Sequence, residues 1–490
     1  MRRDRESETT APTRRNAVHS GILTGVATVV LSGSAAVAAA ILAQKFGRDA
    51  GTDGFLVAYG VYVTITLAAQ ALRLTAVPEL TRTDGGAFGS YAGAVLAVGI
   101  PATVLAWVLS VPIGDVLTGG LPDVAAELAA DALPWLIPAA FGQVLAALAA
   151  ATLAARDRFV AAAVGFSAGG IAGLVVFVTL ADAHGLVSLA WGLAVNAAIS
   201  LAIPLAALVG ELRALRWGGV RRRLVLLAEA AAVPVALQAL YLLCLRLAAS
   251  LGVGAVTSFS FAYFFAAVLV AGTATSLSII STAELTRRNV DPAEAVAHVV
   301  HGAWLSLVLI GAAAGVFALV GAPIAAAVLG DAYSGDVGVE LGRLVVALTP
   351  WMVGAVGFSL AFPLLYVLEK SRVLLPIAIG AVALHVPLAI ALRELWGLEG
   401  LAVALGISTL VVLAALLFAL SRRALAESAL SLARVAGVVA LLAGASFGLL
   451  SLVAGDAVAA VAGLAAYTAL VALLRPRGLR EAWGYVRELH

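Results

Sequence analysis

About fourteen stretches of roughly 20 mostly apolar residues follow one another along this chain, each long enough to cross a bilayer as a helix. Nothing else in the sequence narrows the fold as much. Inside a hydrocarbon layer every backbone N–H and C=O must find its partner within the protein, so runs of this kind form helices. They fall near residues 21–43, 55–77, 89–112, 133–155, 159–181, 186–209, 225–249, 256–282, 301–322, 344–367, 373–392, 398–420, 433–454 and 456–474. The last two are parted only by Ala454-Gly455-Asp456, and no connection is long enough for a soluble domain. Charged residues make up 12% of the chain, against about 25% in soluble proteins. The expected class is an all-α integral membrane protein.

Basic residues order these spans across the membrane. With an even number of spans both termini share a side. Of the 30 Lys and Arg, only Lys45, Arg48, Arg246, Arg343 and Arg393 fall on the other side. Cytoplasmic loops collect Lys and Arg, so both termini are expected in the cytoplasm of a bacterial-type plasma membrane. Arg2, Arg3, Arg5, Arg14 and Arg15 precede the first run, and Ser34–Ala40 is rich in small residues, as at a signal-peptide cleavage site. The run continues to the neighbourhood of Ala43, so a first membrane helix behind a basic tail is expected.

One string occurs twice, at Glu79-Leu80-Thr81-Arg82 and at Glu284-Leu285-Thr286-Arg287. Each copy closes an apolar run that a Phe-x-x-Ala-Tyr opens, Phe55–Tyr59 in the first and Phe259–Tyr263 in the second. The copies close spans 2 and 8. An even offset means that the two halves share an orientation, related by an axis along the membrane normal. That is the parallel-repeat transporter plan, with a site between the halves near mid-membrane. The expected layout is a cytoplasmic tail at 1–20, a six-helix N-terminal lobe at 21–210 and a basic linker at 211–224. A second six-helix lobe follows at 225–421, then two appended helices at 422–474 and an amphipathic tail at 475–490. Asp291, Pro292 and Glu294 read as a capping box that begins span 9 as a cytoplasmic helix. In the tail, Leu479, Trp483, Val486 and Leu489 share one helical face, suited to a membrane surface.

Several classes are excluded. Gly165–Gly169 reads Gly-Phe-Ser-Ala-Gly, the form of a hydrolase nucleophile elbow, but that motif needs a strand–turn–helix and partner His and Asp. Here it lies inside span 5, and with Gly173 it makes a small-residue stripe for close helix packing. No P-loop, dinucleotide or metalloprotease signature is present, so neither an enzyme nor a cofactor is expected. The single Cys244 rules out an internal disulfide and any cysteine-based metal cluster. A net charge of +2 leaves no nucleic-acid footprint.

The stretch Ala43–Tyr59, AQKFGRDAGTDGFLVAY, resembles the start of the MviN/MurJ-type lipid II flippases of the multidrug/oligosaccharidyl-lipid/polysaccharide (MOP) exporter superfamily. In that family a Phe-Gly turn joins the first two helices and Thr-Asp-Ala-Phe follows. Here the turn is Phe46-Gly47 and the second element is Thr52-Asp53-Gly54-Phe55. The span count, the two lobes and the region from Pro234 to Arg287 are similar as well. The resemblance implies alternating-access transport of polyprenyl-diphosphate-linked glycans, with a lipid-linked oligosaccharide and the bilayer as partners and a coupling ion of unknown kind. It also implies cavity arginines in helices one, two and eight. Those positions fall here at Ser32 and Ala38, in Val63–Thr66 and near Phe264; none is basic, and Asp53 alone carries over.

Ionisable groups in a membrane are costly and mark function by default. Asp53 is a gating or substrate candidate, or an N-cap for its own helix. Arg73 and Gln70 share a helical face, where the guanidinium meets a diphosphate or snorkels to the interface. Arg246 and Gln238 are the matching candidates in the second lobe. Glu229 and His385 are candidates for a coupling ion. For them the structural alternatives are pairing with Arg221–Arg223 and hydrogen-bonded packing. Besides the flippase, a cation-coupled organic-cation antiporter and a non-transporting scaffold remain open. The first predicts a basic cavity, the second an acidic one, the third neither.

Overall fold

The computed structural model describes residues 30, 33–69, 72, 76, 79–80, 83, 87–156, 158–212, 218–275, 292–367, 370–474 and 479–481. Among these, regular structure is helical apart from one isolated bridge between Gly119 and Leu121. Helix α1 (Gly33–Phe46) turns at Gly47 into α2 (Ala50–Thr66). Then follow α3 (Phe88–Val108), α4 (Ser110–Thr118), α5 (Asp123–Ala154), α6 (Phe159–His184) and α7 (Val187–Leu212). The second half holds α8 (Val220–Ala249), α9 (Ala255–Val270), α10 (Pro292–Leu329), α11 (Gly335–Ala347), α12 (Thr349–Val367) and α13 (Leu374–Leu420). α14 (Arg422–Ala443) and α15 (Asp456–Leu474) complete the chain.

Ten described helices are long and apolar enough to cross a membrane, eleven when the bent pair α11–α12 counts as one. α13 runs for 47 residues and contains two predicted spans, joined at Gly397. The first two predicted spans correspond to α1 and α2. The outward helix faces are apolar, with Leu452, Val453 and Leu473 each about four-fifths exposed. A surface of that kind belongs in lipid, and the chain is a multi-pass membrane protein.

One boundary differs from expectation. The span placed at 344–367 begins at Thr349, because residues up to Ala347 belong to α11, which meets α12 at a bend of 44°. α11 carries Asp336, Glu340 and Arg343. It buries Leu341, Leu344 and Val345 while Arg343 is exposed, so one face of it packs against the bundle. Asp291 of the expected capping box lies outside the described residues, and α10 is described from Pro292 onward.

Helices α2 to α7 pack on one another, as do α8 to α13. The two groups meet where α2, α3 and α4 touch α8 and α9, while α14 and α15 pack on α10. Two features make the halves a parallel repeat. Gly185 joins α6 to α7 at φ 59°, ψ −144°, and Gly397 breaks α13 at φ 58°, ψ −128°. These are equivalent connections, spans 5 to 6 and 11 to 12, and both require glycine. Each opens the same string, Gly185-Leu186-x-x-Leu189-Ala190 and Gly397-Leu398-x-x-Leu401-Ala402. The second feature is burial. Phe55 and Phe259 are wholly buried, as are Ala58 and Ala262, while Tyr59 and Tyr263 are half-buried.

The glycine stripe in α6 packs as expected. A Cβ on Gly173 would lie 2.5 Å from the Gly192 carbonyl, and one on Gly169 would lie 2.7 Å from the Asn196 carbonyl, both in α7. Gly54 is pressed against the backbone of Ala125 in α5. That contact sets the position of the residue before it.

Candidate functional site

Asp53 is fully buried at the seam between the halves. It is not the cap of its own helix. That cap is Asp49, whose carboxylate accepts from the Thr52 N–H at 2.7 Å. Asp53 instead accepts from the Gly254 N–H, from the Thr257 N–H at 2.8 Å and from the Thr257 hydroxyl. It therefore caps α9, which belongs to the other half. The reason is local: α9 starts after Gly254, at φ 86°, and glycine has no side chain to accept its free N–H groups. By alignment of the two Phe-x-x-Ala-Tyr strings, Asp53 and Thr257 hold equivalent positions, so the repeat axis passes between them.

More ties surround this one. Arg48 donates to the Gly254 carbonyl at 2.9 Å and pairs with Glu340 of α11 at 3.1 Å. The Tyr333 hydroxyl donates to the Gly47 carbonyl at 2.9 Å, and Gln44 donates to the Val328 carbonyl at 3.0 Å. Arg246 of α8 reaches the other way, donating to the carbonyls of Val116 and Gly119 at 2.6 and 2.7 Å. Lys45 pairs with Asp182, Arg343 with Glu399 at 3.7 Å, and Arg393 donates to Ser250 at 2.9 Å. All five basic residues that the charge count assigns to the minority side thus gather at this end of the bundle. The opposite end has one described tie. Glu79, from the first repeated string, pairs with Arg223 at the start of α8 and accepts from the Tyr91 hydroxyl at 2.9 Å. Arg223 also stands over the Tyr91 ring, 4.9 Å from its centroid.

Between the two ends the seam is aromatic. Tyr59 of α2 meets Phe264 of α9 edge-on at 6.2 Å, and Tyr263 stacks on Tyr241 at 4.0 Å and tilts onto Trp351 at 4.7 Å. Gln238 accepts from the Tyr263 hydroxyl at 3.2 Å.

The sequence candidates therefore separate. Asp53, Arg246 and Gln238 line one seam, whereas Gln70 and Arg73 lie outside the described residues. Glu229 is half-buried, and among the described residues it forms no ion pair with the basic cluster; Arg223 turns to Glu79. A separation of six does not bring Glu229 and Arg223 onto one helical face. His385 is buried away from the seam, its Nδ1 2.9 Å from Ser408 Oγ and its Nε2 3.5 Å from Cys244 Sγ. Sequence reasoning missed Thr257, Glu340, Tyr333 and the Glu79–Arg223 pair. Only Glu79 carried a signal, through its repeated string. A separate apolar groove of about 520 Å3 lies among α10, α12, α13 and α14, lined by residues such as Leu307, Val353, Leu413, Leu432 and Val439.

Known structures share this fold. The lipid II flippase MurJ in an inward closed conformation superimposes with a TM-score of 0.74 at 14% identity, over 92% of this chain and 98% of that one. The fold is that of the MOP-superfamily transporters. An inward-facing multidrug resistance MATE family transporter of the MOP superfamily gives 0.61 at 14% identity, over 84% of this chain and 94% of its own. The Vibrio cholerae MATE transporter VcmN in its bent form gives 0.53 at 16% identity, over 85% and 98%. No family model matches the chain, and no curated protein does. The fold expected from Phe46-Gly47 and Thr52–Phe55 is the fold observed.

Proposed function

We propose that this protein is an alternating-access flippase for polyprenyl-diphosphate-linked glycan precursors, in a bacterial-type plasma membrane with both termini in the cytoplasm. The observation that carries the reading is the seam: two like-oriented halves, tied across it at both ends by groups that can part. In this reading the end carrying Asp53 faces outward and the Glu79–Arg223 end faces the cytoplasm. Release of Glu79 from Arg223 opens the inward path, and release of Asp53 from α9 opens the outward one. Parting the outer end also frees Arg246 from its carbonyls, leaving a guanidinium for a diphosphate. Arg73 is its proposed counterpart in the first half. The groove among α10, α12, α13 and α14 supplies an apolar surface for a lipid tail. Asp53 is the gate residue in this scheme, and Glu229 and His385 are the groups left to carry a coupling ion.

Depletion of the protein, with identification of the lipid-linked intermediate that builds up, tests the substrate class. Accumulation of a polyprenyl-diphosphate glycan is expected. If organic-cation efflux falls instead and no such lipid accumulates, the chain works as an antiporter.

A further inference from the structure

Resting on the flippase reading, we propose that an aromatic wall around Gln238 holds a neutral sugar ring of the cargo, at a place separate from the arginines left for its diphosphate. Three observations point there. Near the helix-eight position at which the resemblance implies an arginine stands Phe264, which meets Tyr59 across the seam, and Tyr62, 7% exposed, directly precedes the helix-two stretch Val63–Thr66. Tyr59 and Tyr263 are the equivalent tyrosines of the two halves, and among the described residues no Lys or Arg stands over either ring. Gln238 is only 4% exposed; its Oε1 takes the Tyr263 hydroxyl, but its Nε2 has no hydrogen-bond partner.

A buried amide NH2 without an acceptor is the cue, because such groups in native proteins are nearly always paired. The missing partner must supply an acceptor oxygen close to the Tyr263 ring. A diphosphate supplies oxygens but needs cationic donors, which the wall lacks. An organic cation suits the ring faces but supplies no acceptor for Nε2. Nor is a free carboxylate available for it from Asp53, which is already bound to α9. A pyranose meets both demands. Its C–H face lies on an aromatic ring, and its hydroxyl or acetamido oxygens accept from Gln238 Nε2. In the closed state Tyr59 and Phe264 cover the wall, so the ring enters when the halves part.

The test uses the full chain in nanodiscs, with di-N-acetylchitobiose as the probe, followed by saturation-transfer NMR. The expected result is transfer to the sugar C–H protons. The substitution Gln238→Met, which keeps the volume and removes the donor, should weaken binding about tenfold. Tyr59→Leu should weaken it too, and Tyr59→Phe, which keeps the ring, should retain most of it. Inorganic pyrophosphate and tetraphenylphosphonium at equal concentration should not displace the sugar. The proposal is overturned if the disaccharide gives no transfer, if either competitor displaces it, or if Gln238→Met binds like the parent. The two readings fail separately. Accumulation of a lipid-linked glycan on depletion, with sugar binding indifferent to Gln238→Met, removes the wall alone. Sugar binding that depends on Gln238, with no lipid accumulating, keeps the wall and removes the flippase.

Discussion

Asp53 illustrates how much one buried carboxylate does here. Its two oxygens satisfy two backbone N–H groups and one hydroxyl of a helix in the other half. Replacing it by Ala orphans these donors in a closed setting, and each orphaned group costs about 1–3 kcal/mol. The conformer closed at this end should therefore lose population. Spin labels across the seam, read by pulsed dipolar spectroscopy, are expected to report a longer mean distance in Asp53→Ala than in the parent. An unchanged distance would mean that Arg48, Tyr333 and Gln44 hold the end shut without it. Arg246→Ala removes ties made to backbone carbonyls only. It leaves no buried charge unpaired, so a smaller widening is expected. The sequence marked Asp53 and Arg246 as costly residues in a membrane, but their partners are about 130 to 200 positions away, and no local pattern indicates them.

At the scale of helices, glycine decides where chains reverse and how close they come. Gly185 and Gly397 share a positive φ that an L side chain adopts only under strain of about 1–3 kcal/mol. Gly185→Ala and Gly397→Ala should lower thermal stability in detergent by similar amounts, because the two turns are one turn used twice. A large difference between them would argue against equivalent connections. In α6, Gly173→Leu drives a side chain into the Gly192 carbonyl, and overpacking of this kind costs about 1–3 kcal/mol or more. Its unfolding temperature should fall well below that of Gly210→Leu in α7, where nothing lies within 4 Å of an added Cβ. The repeats also differ by one residue. From Phe to Glu the second copy, Phe259 to Glu284, is one longer than the first, Phe55 to Glu79. A π-helical turn at Ala271–Thr275 lies within that interval and is the kind of turn that takes up a single extra residue. The Gly-Leu-x-x-Leu-Ala repeat was legible in the sequence too, and its first glycine is the one that the turn demands.

For the molecule as a whole, the proposed cycle makes the seam between equivalent halves the element that moves. The chain's single cysteine, Cys244, is buried, so engineered cysteine pairs report on the seam with little background. In the double variant Asp53→Cys with Thr257→Cys, a disulfide should form in the closed state and stop transport, and reduction should restore whatever activity the reduced variant has. Pairing that leaves transport unaffected would show that this end does not open in the cycle. The appended helices α14 and α15 lie outside the seam, against α10, and α14 makes one wall of the apolar groove.

By itself the sequence determined the helices, their approximate number and the duplication. These follow from the length of apolar runs and from repeated strings, which are properties of neighbouring residues. It also marked which ionisable residues were costly enough to need an explanation. Only the tertiary structure decided how they are satisfied. Asp53 caps a helix of the other half, Glu79 takes Arg223 from the cluster weighed as a partner for Glu229, and the tyrosines of two distant strings stand along one seam. Such pairings join groups far apart in the chain. They arise where the two bundles meet, and no stretch of sequence encodes where that meeting occurs.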